Sequence, residues 1–243
     1  MSTGEILDGA LALLRRHFGL FCGIAAASQG LPAALDVYIE VSGGGAQHQG
    51  LGLLSRVLSA FGTALVTGAT ARAVSEAYLG GAPTLSDALS WGGSRLGRVF
   101  GAGFATGFLT ILALLALVIP GIIVACGYSV ALEVAALEGE SASPLRRSWA
   151  LTKGFRGKAL TLWAICIVLI MVMVLGAGIA GGAAEAVSSA MRVPVTVAVS
   201  LIVLLFYPML TSVFTLFYYD LRVRKEAFDL ELLSRHLGIP ART

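Results

Sequence analysis

Three histidines, His17, His48 and His236, are the first residues to ask about proton transfer or metal binding. None has a second ligand three or four residues away, the spacing that would put two ligands on one helix face, so no metal site is predicted. The cysteines, Cys22, Cys126 and Cys166, each sit inside an apolar run with no His or Cys nearby. They are expected to be small buried hydrophobes. Neither a Walker-type phosphate loop nor a Gly-x-Ser-x-Gly elbow is present. The side chains therefore predict no enzyme and no cofactor.

The charged residues are more informative because of where they fall. Asp36 and Glu40 are four residues apart at the end of one apolar run, and Arg56 lies near the start of the next. Their spacing predicts an ion pair locking the two runs together. Glu76, Glu133 and Asp220 mark the ends of three later runs. They are expected to pair with basic residues between the runs, chiefly Arg146, Arg147 and Arg222. A proton or cation path is the alternative, since ionisable residues in apolar segments are functional candidates by default. Arg95, Arg98, Arg146, Arg147, Trp149, Lys153, Arg156 and Lys158 cluster between runs and are candidates for contact with lipid headgroups or a partner.

The elements that must position these residues are apolar helices. The chain is 57% hydrophobic and only 13% charged, with a mean hydropathy of +0.86. About 25% charge is usual for a soluble domain, so a soluble all-α protein is excluded. The glycine- and alanine-rich, arginine-biased composition suggests a bacterial source. A spanning helix needs about 20 apolar residues. Six segments qualify, at 18–38, 51–73, 99–119, 121–137, 159–182 and 194–219. The third and fourth are separated at Ile119, Pro120 and Gly121, where Pro and Gly end one helix and start the next. With the N-terminus inside, 15 of the 17 Lys and Arg residues fall on the cytoplasmic side and only Arg56 and Arg192 fall outside. Residues 1–50 hold the first elbow and the start of the first hairpin, and residues 220–243 form a cytoplasmic tail with a closing helix. No basic leader precedes the first apolar run, which is expected to stay as an anchor.

The segments before the spans repeat a pattern. Thr84 and Asp87 read as a cap before Leu85, Ala88, Leu89, Gly92 and Leu96. Ser143 and Pro144 read as a helix start before Leu145, Trp149 and Thr152. Leu7, Leu11, Leu14 and Phe18 form a third apolar stripe. Each stripe leads through basic residues into a span. The expected architecture is all-α and polytopic, a single membrane domain of three units, each an amphipathic elbow followed by a two-helix hairpin. Glycine pairs Gly97/Gly101, Gly103/Gly107 and Gly178/Gly182 are expected to mark close helix packing.

Three segments carry a family resemblance: the turn at Ile119, Pro120 and Gly121, residues 137–154 (LEGESASPLRRSWALTKG), and residues 218–231 (YYDLRVRKEAFDLE). Together they resemble the bacterial six-span family labelled glycerophosphoryl diester phosphodiesterase membrane domain, over nearly the whole chain. In some members this region precedes a soluble catalytic barrel, which is not expected within these 243 residues. The resemblance implies a membrane module rather than phosphodiesterase activity.

The expected function is a non-enzymatic inner-membrane module that binds membrane lipids with anionic headgroups, or a protein partner or second copy, through its basic elbows, and organises the bilayer. Nucleic acid is not an expected partner. A small transporter or channel is the alternative.

Overall fold

The computed structural model describes residues 1–42, 49–139, 143–188 and 191–226. Among these residues there are ten helices and no strands: α1 (Thr3–Arg16), α2 (Phe18–Val41), α3 (Gln49–Tyr78), α4 (Leu85–Ser94), α5 (Leu96–Ala116), α6 (Val118–Gly127), α7 (Ala131–Leu137), α8 (Pro144–Thr152), α9 (Arg156–Val187) and α10 (Arg192–Glu226). Six segments are long and apolar enough to cross a membrane: α2, α3, α5, α6 with α7, α9, and α10. The chain is a polytopic helical membrane protein. Short helices α1, α4 and α8 precede the three hairpins, so the elbow-and-hairpin unit occurs three times. The expected closing helix is not separate up to Glu226, because α10 continues unbroken from the span. Residues 227–243, with His236, and the loop 43–48, with His48, lie outside the described residues.

Local sequence explains the helix ends. Ser2 and Glu5 form a reciprocal capping box at the start of α1, and Arg15 and Arg16 in its last turn complement the helix dipole. The buried face of α1 is Ile6 and Ala10, rotated from the expected stripe, and Phe18 starts α2 half exposed. Thr84 accepts the Asp87 amide as α4 begins. Ser143 caps α8 by position only, with Pro144 at the first helical residue. Gly154 turns α8 into α9 at φ +90°, a conformation glycine adopts without strain.

The third and fourth spans part at Leu117, whose backbone is extended, and not at the proline. Pro120 falls in the first turn of α6, where its missing N–H forfeits no helical bond. The fourth span is itself broken between Gly127 and Ala131, dividing it into α6 and α7. Pro32 and Pro208 lie inside helices that continue through them.

The core gathers at the end of the bundle where the elbows sit. Ile6, Phe21, Ile24, Val66, Val74, Val130, Leu151, Leu162 and Phe217 are buried in one cluster drawn from α1, α2, α3, α8, α9, α10 and the α6–α7 turn. At the distal end large apolar side chains face outward, with Leu115 79%, Ile119 73% and Ile179 72% exposed. Lipid covers such surfaces at no hydrophobic cost, so helix association there must come from packing and polar bonds. The first hairpin has both. Gln29 Nε2 donates to Ser59 O at 3.3 Å and to Thr63 Oγ1 at 3.0 Å. A Cβ on Gly62 would sit 2.3 Å from Ser28 O, the carbonyl that Pro32 deprives of its helical donor. Between α2 and α10 lies an apolar cleft of about 400 Å³, lined by residues including Ala26, Gly30, Ala34, Val197 and Leu201.

Candidate functional site at the elbow end

The short helix α7 ends in a cluster of donors. Trp91 Nε1 donates to Ala136 O at 2.9 Å. Arg95 and Arg98 both donate to Glu138 O, at 2.5 and 2.7 Å. Carbonyls at a helix C-terminus lack helical partners and carry the negative end of the dipole, so two guanidinium groups suit them. Arg72 and Arg95 also both lie over the Trp91 ring, 4.7 and 4.4 Å from its centre. Arg72 reaches Asp87 at 3.0 Å and Glu76 at 4.0 Å.

The Glu138 carboxylate extends this hub. Arg147 Nε donates to its two oxygens at 3.0 and 3.1 Å, and Tyr218 OH donates at 2.9 Å. Arg147 also bridges to Glu226 at 2.5 Å, and Arg222 holds Glu226 from one turn away at 3.0 Å. Partial burial pulls the Arg147 guanidinium down, but Glu138 and Glu226 outweigh it and hold the group above its ordinary value.

A second hub centres on Asp220, 3% exposed. Its carboxylate takes Lys158 Nζ at 2.6 Å, the Met1 ammonium at 2.6 Å and Arg224 Nε at 3.1 Å, joining α1, α9 and α10. Trp149 lies against Gly127, where a Cβ would come 2.3 Å from its ring, and Arg156 lies over the ring at 4.1 Å. Trp91 on α4 and Trp149 on α8 thus each lie under an arginine.

The candidate residues divide accordingly. Of the eight proposed for headgroup contact, Arg95, Arg98, Arg147 and Lys158 point into the two hubs, and Trp149 and Arg156 stack on each other. Arg146 and Lys153 remain exposed, as do Arg15 and Arg16, and no ion pair engages these four among the described residues.

The expected carboxylate pairs are corrected. Asp36 accepts the Ser55 hydroxyl at 2.6 Å, and no ion pair joins it to Arg56 among the described residues. Ser55 is buried facing α2, so Arg56, about 100° further round the helix, points elsewhere. The Glu40 side chain lies outside the described residues. Asp220 does pair with a basic residue between runs, but it is Lys158, and on its own helix it takes Arg224, four residues on, in place of Arg222. Glu76 takes Arg72 on its own helix. Glu133 takes no basic partner among the described residues. Glu138, five residues on and past the helix end, reaches Arg147 in its place.

Sequence reasoning missed Glu138, Glu226, Tyr218 and the Ser75–Tyr219 hydroxyl pair at 2.5 Å. Glu138 carried a signal, as an acid following an apolar run directly ahead of an arginine pair. The close-packing glycines were also misplaced. A Cβ on Gly97, Gly101, Gly107, Gly178 or Gly182 would meet nothing within 4 Å, whereas one on Gly92 would lie 2.8 Å from Ala69 N. Among the described residues no three His, Cys, Asp or Glu side chains group where a metal ion could be held. Comparisons with protein-family models, curated proteins and solved structures found no match.

Proposed function

We propose that this chain is a non-catalytic module of a bacterial inner membrane, of the kind its family resemblance implies, that binds anionic lipid headgroups through its elbow helices. The reading keeps both termini in the cytoplasm, on the strength of the lopsided distribution of Lys and Arg. The observation that carries it is the division of cations at the elbow end. Most are engaged within the bundle by carboxylates, backbone carbonyls or aromatic rings, and so fix the elbows in place. Arg15, Arg16, Arg146 and Lys153 are left exposed on elbows or at their ends. Such cations near an anionic surface contribute about 1 kcal/mol each. A second reading, a small transporter or channel, has one observation in its favour: buried Glu133 beside a broken span.

Lipids retained on the protein after mild detergent extraction test the first reading. Wild type should retain anionic lipid over zwitterionic lipid, and a variant with Arg15, Arg16, Arg146 and Lys153 all changed to Gln should lose that preference. Equal retention by both proteins would count against it.

A further inference from the structure

Glu133 is 4% exposed, in the first turn of α7, and its Oε2 has no hydrogen-bond partner. Ser129, in the turn that precedes α7, is 7% exposed, and its hydroxyl is also unpartnered. The helices packed against α7 are α3, α5, α8 and α10. Their charged and titratable groups are engaged elsewhere or turned outward. On α3, Arg72 holds Asp87 and Glu76. Ahead of and within α5, Arg95 and Arg98 hold the Glu138 carbonyl. On α8, Arg147 holds Glu138 and Glu226, while Arg146 is exposed, as is Lys153 just beyond the helix. On α10, Tyr218 donates to Glu138, Tyr219 pairs with Ser75, Asp220 holds Lys158, and Arg222 holds Glu226.

An ionised carboxylate this deep, without a counter-charge, is among the costliest arrangements a membrane bundle can hold. A single proton removes that cost. The site adjoins a break that is built into the fold. Ser148 and Thr152 both donate to Gly127 O at 3.0 Å, and Val130 N donates to Ser148 Oγ at 3.3 Å, so α8 satisfies the backbone groups that the interruption of the span frees. The seven residues of α7 begin at that turn, so these bonds are what tie the start of α7 to α8.

We propose that Glu133 is a proton-binding site inside the bundle, and that release of its proton loosens α7 from α8. The carboxyl O–H breaks, the proton passes to water at the elbow end, and the carboxylate is drawn toward the cations that hold Glu138. The proposal does not depend on lipid binding and goes beyond it.

Infrared difference spectra of the full-length detergent-extracted protein, taken between neutral and alkaline pH, test the site directly. Wild type should lose a protonated-carboxyl band as pH rises, and Glu133→Gln should lack that band. Hydrogen exchange tests the coupling. After correction for intrinsic pH dependence, amides of α7 should exchange several-fold faster at alkaline pH in wild type and not in Glu133→Gln. A wild type with no such band would overturn the proposal even if Glu133→Gln failed to fold. So would parallel exchange in the two proteins.

Discussion

Glu138 receives Arg95 and Arg98 on its carbonyl and Arg147 and Tyr218 on its carboxylate, so one residue ties α7 to α8, α10 and the start of α5. Glu138→Ala keeps the carbonyl contacts, strands the Tyr218 hydroxyl and leaves Arg147 with Glu226 alone. It should cost about 1–3 kcal/mol, the usual penalty for an orphaned partner, and Glu138→Gln should cost less because its amide oxygen still accepts. Thermal unfolding of the extracted protein reads both. Asp220 is more deeply buried, and removing its charge leaves Lys158 unpaired. Asp220→Asn should cost about 3–5 kcal/mol. Combined with Lys158→Met, the loss should fall short of the sum of the single losses, because each deletes the same interaction. Additive losses would show that the two side chains do not interact. At this scale the sequence showed which residues matter more readily than whom they meet. An acid at the end of a span is visible by inspection. Lys158, which lies 62 positions from Asp220, becomes its partner only when α9 packs beside α10.

The elbows are held by shape as well as charge. Gly92 on α4 presses on Gly68 and Ala69 of α3, and Gly127 gives Trp149 of α8 its place. Gly92→Ala and Gly127→Ala should each cost about 1–3 kcal/mol through overpacking. For Gly127→Ala, removal of Trp149 from its seat should also appear as greater quenching of tryptophan fluorescence by a water-soluble quencher. Unchanged stability in both variants would mean that the elbows are not closely seated. The helices themselves were legible, because apolar length and basic punctuation are local signals, and all six spans begin within three residues of the expected positions. The breaks were less so. Proline at 120 suggested the boundary, but its tolerance in a first turn let the chain bend three residues earlier. The break after Gly127 depends on hydroxyls that Ser148 and Thr152 bring from another helix, which no local pattern encodes. Regular small-residue pairs likewise proved a poor guide, since close packing at Gly92 and Gly127 arises where an elbow crosses a span.

Across the whole molecule, ordered packing and charge pairing are concentrated at the elbow end, while the distal ends of α5 and α9 present apolar surface. The count of spans and the basic bias of one side follow from composition and charge order. The separation of inward from outward cations does not, because it depends on the rotation of each elbow against the bundle. That separation is the central claim, and unfolding midpoints in bilayer discs test it most directly. In zwitterionic discs, a variant with Arg15, Arg16, Arg146 and Lys153 changed to Gln should unfold with wild type. As anionic lipid is added, the wild-type midpoint should rise and the variant's should not. Arg147→Gln should lower the midpoint in every lipid yet keep the rise. An outward-cation variant that retains the full rise, with Arg147→Gln losing it, would contradict the account.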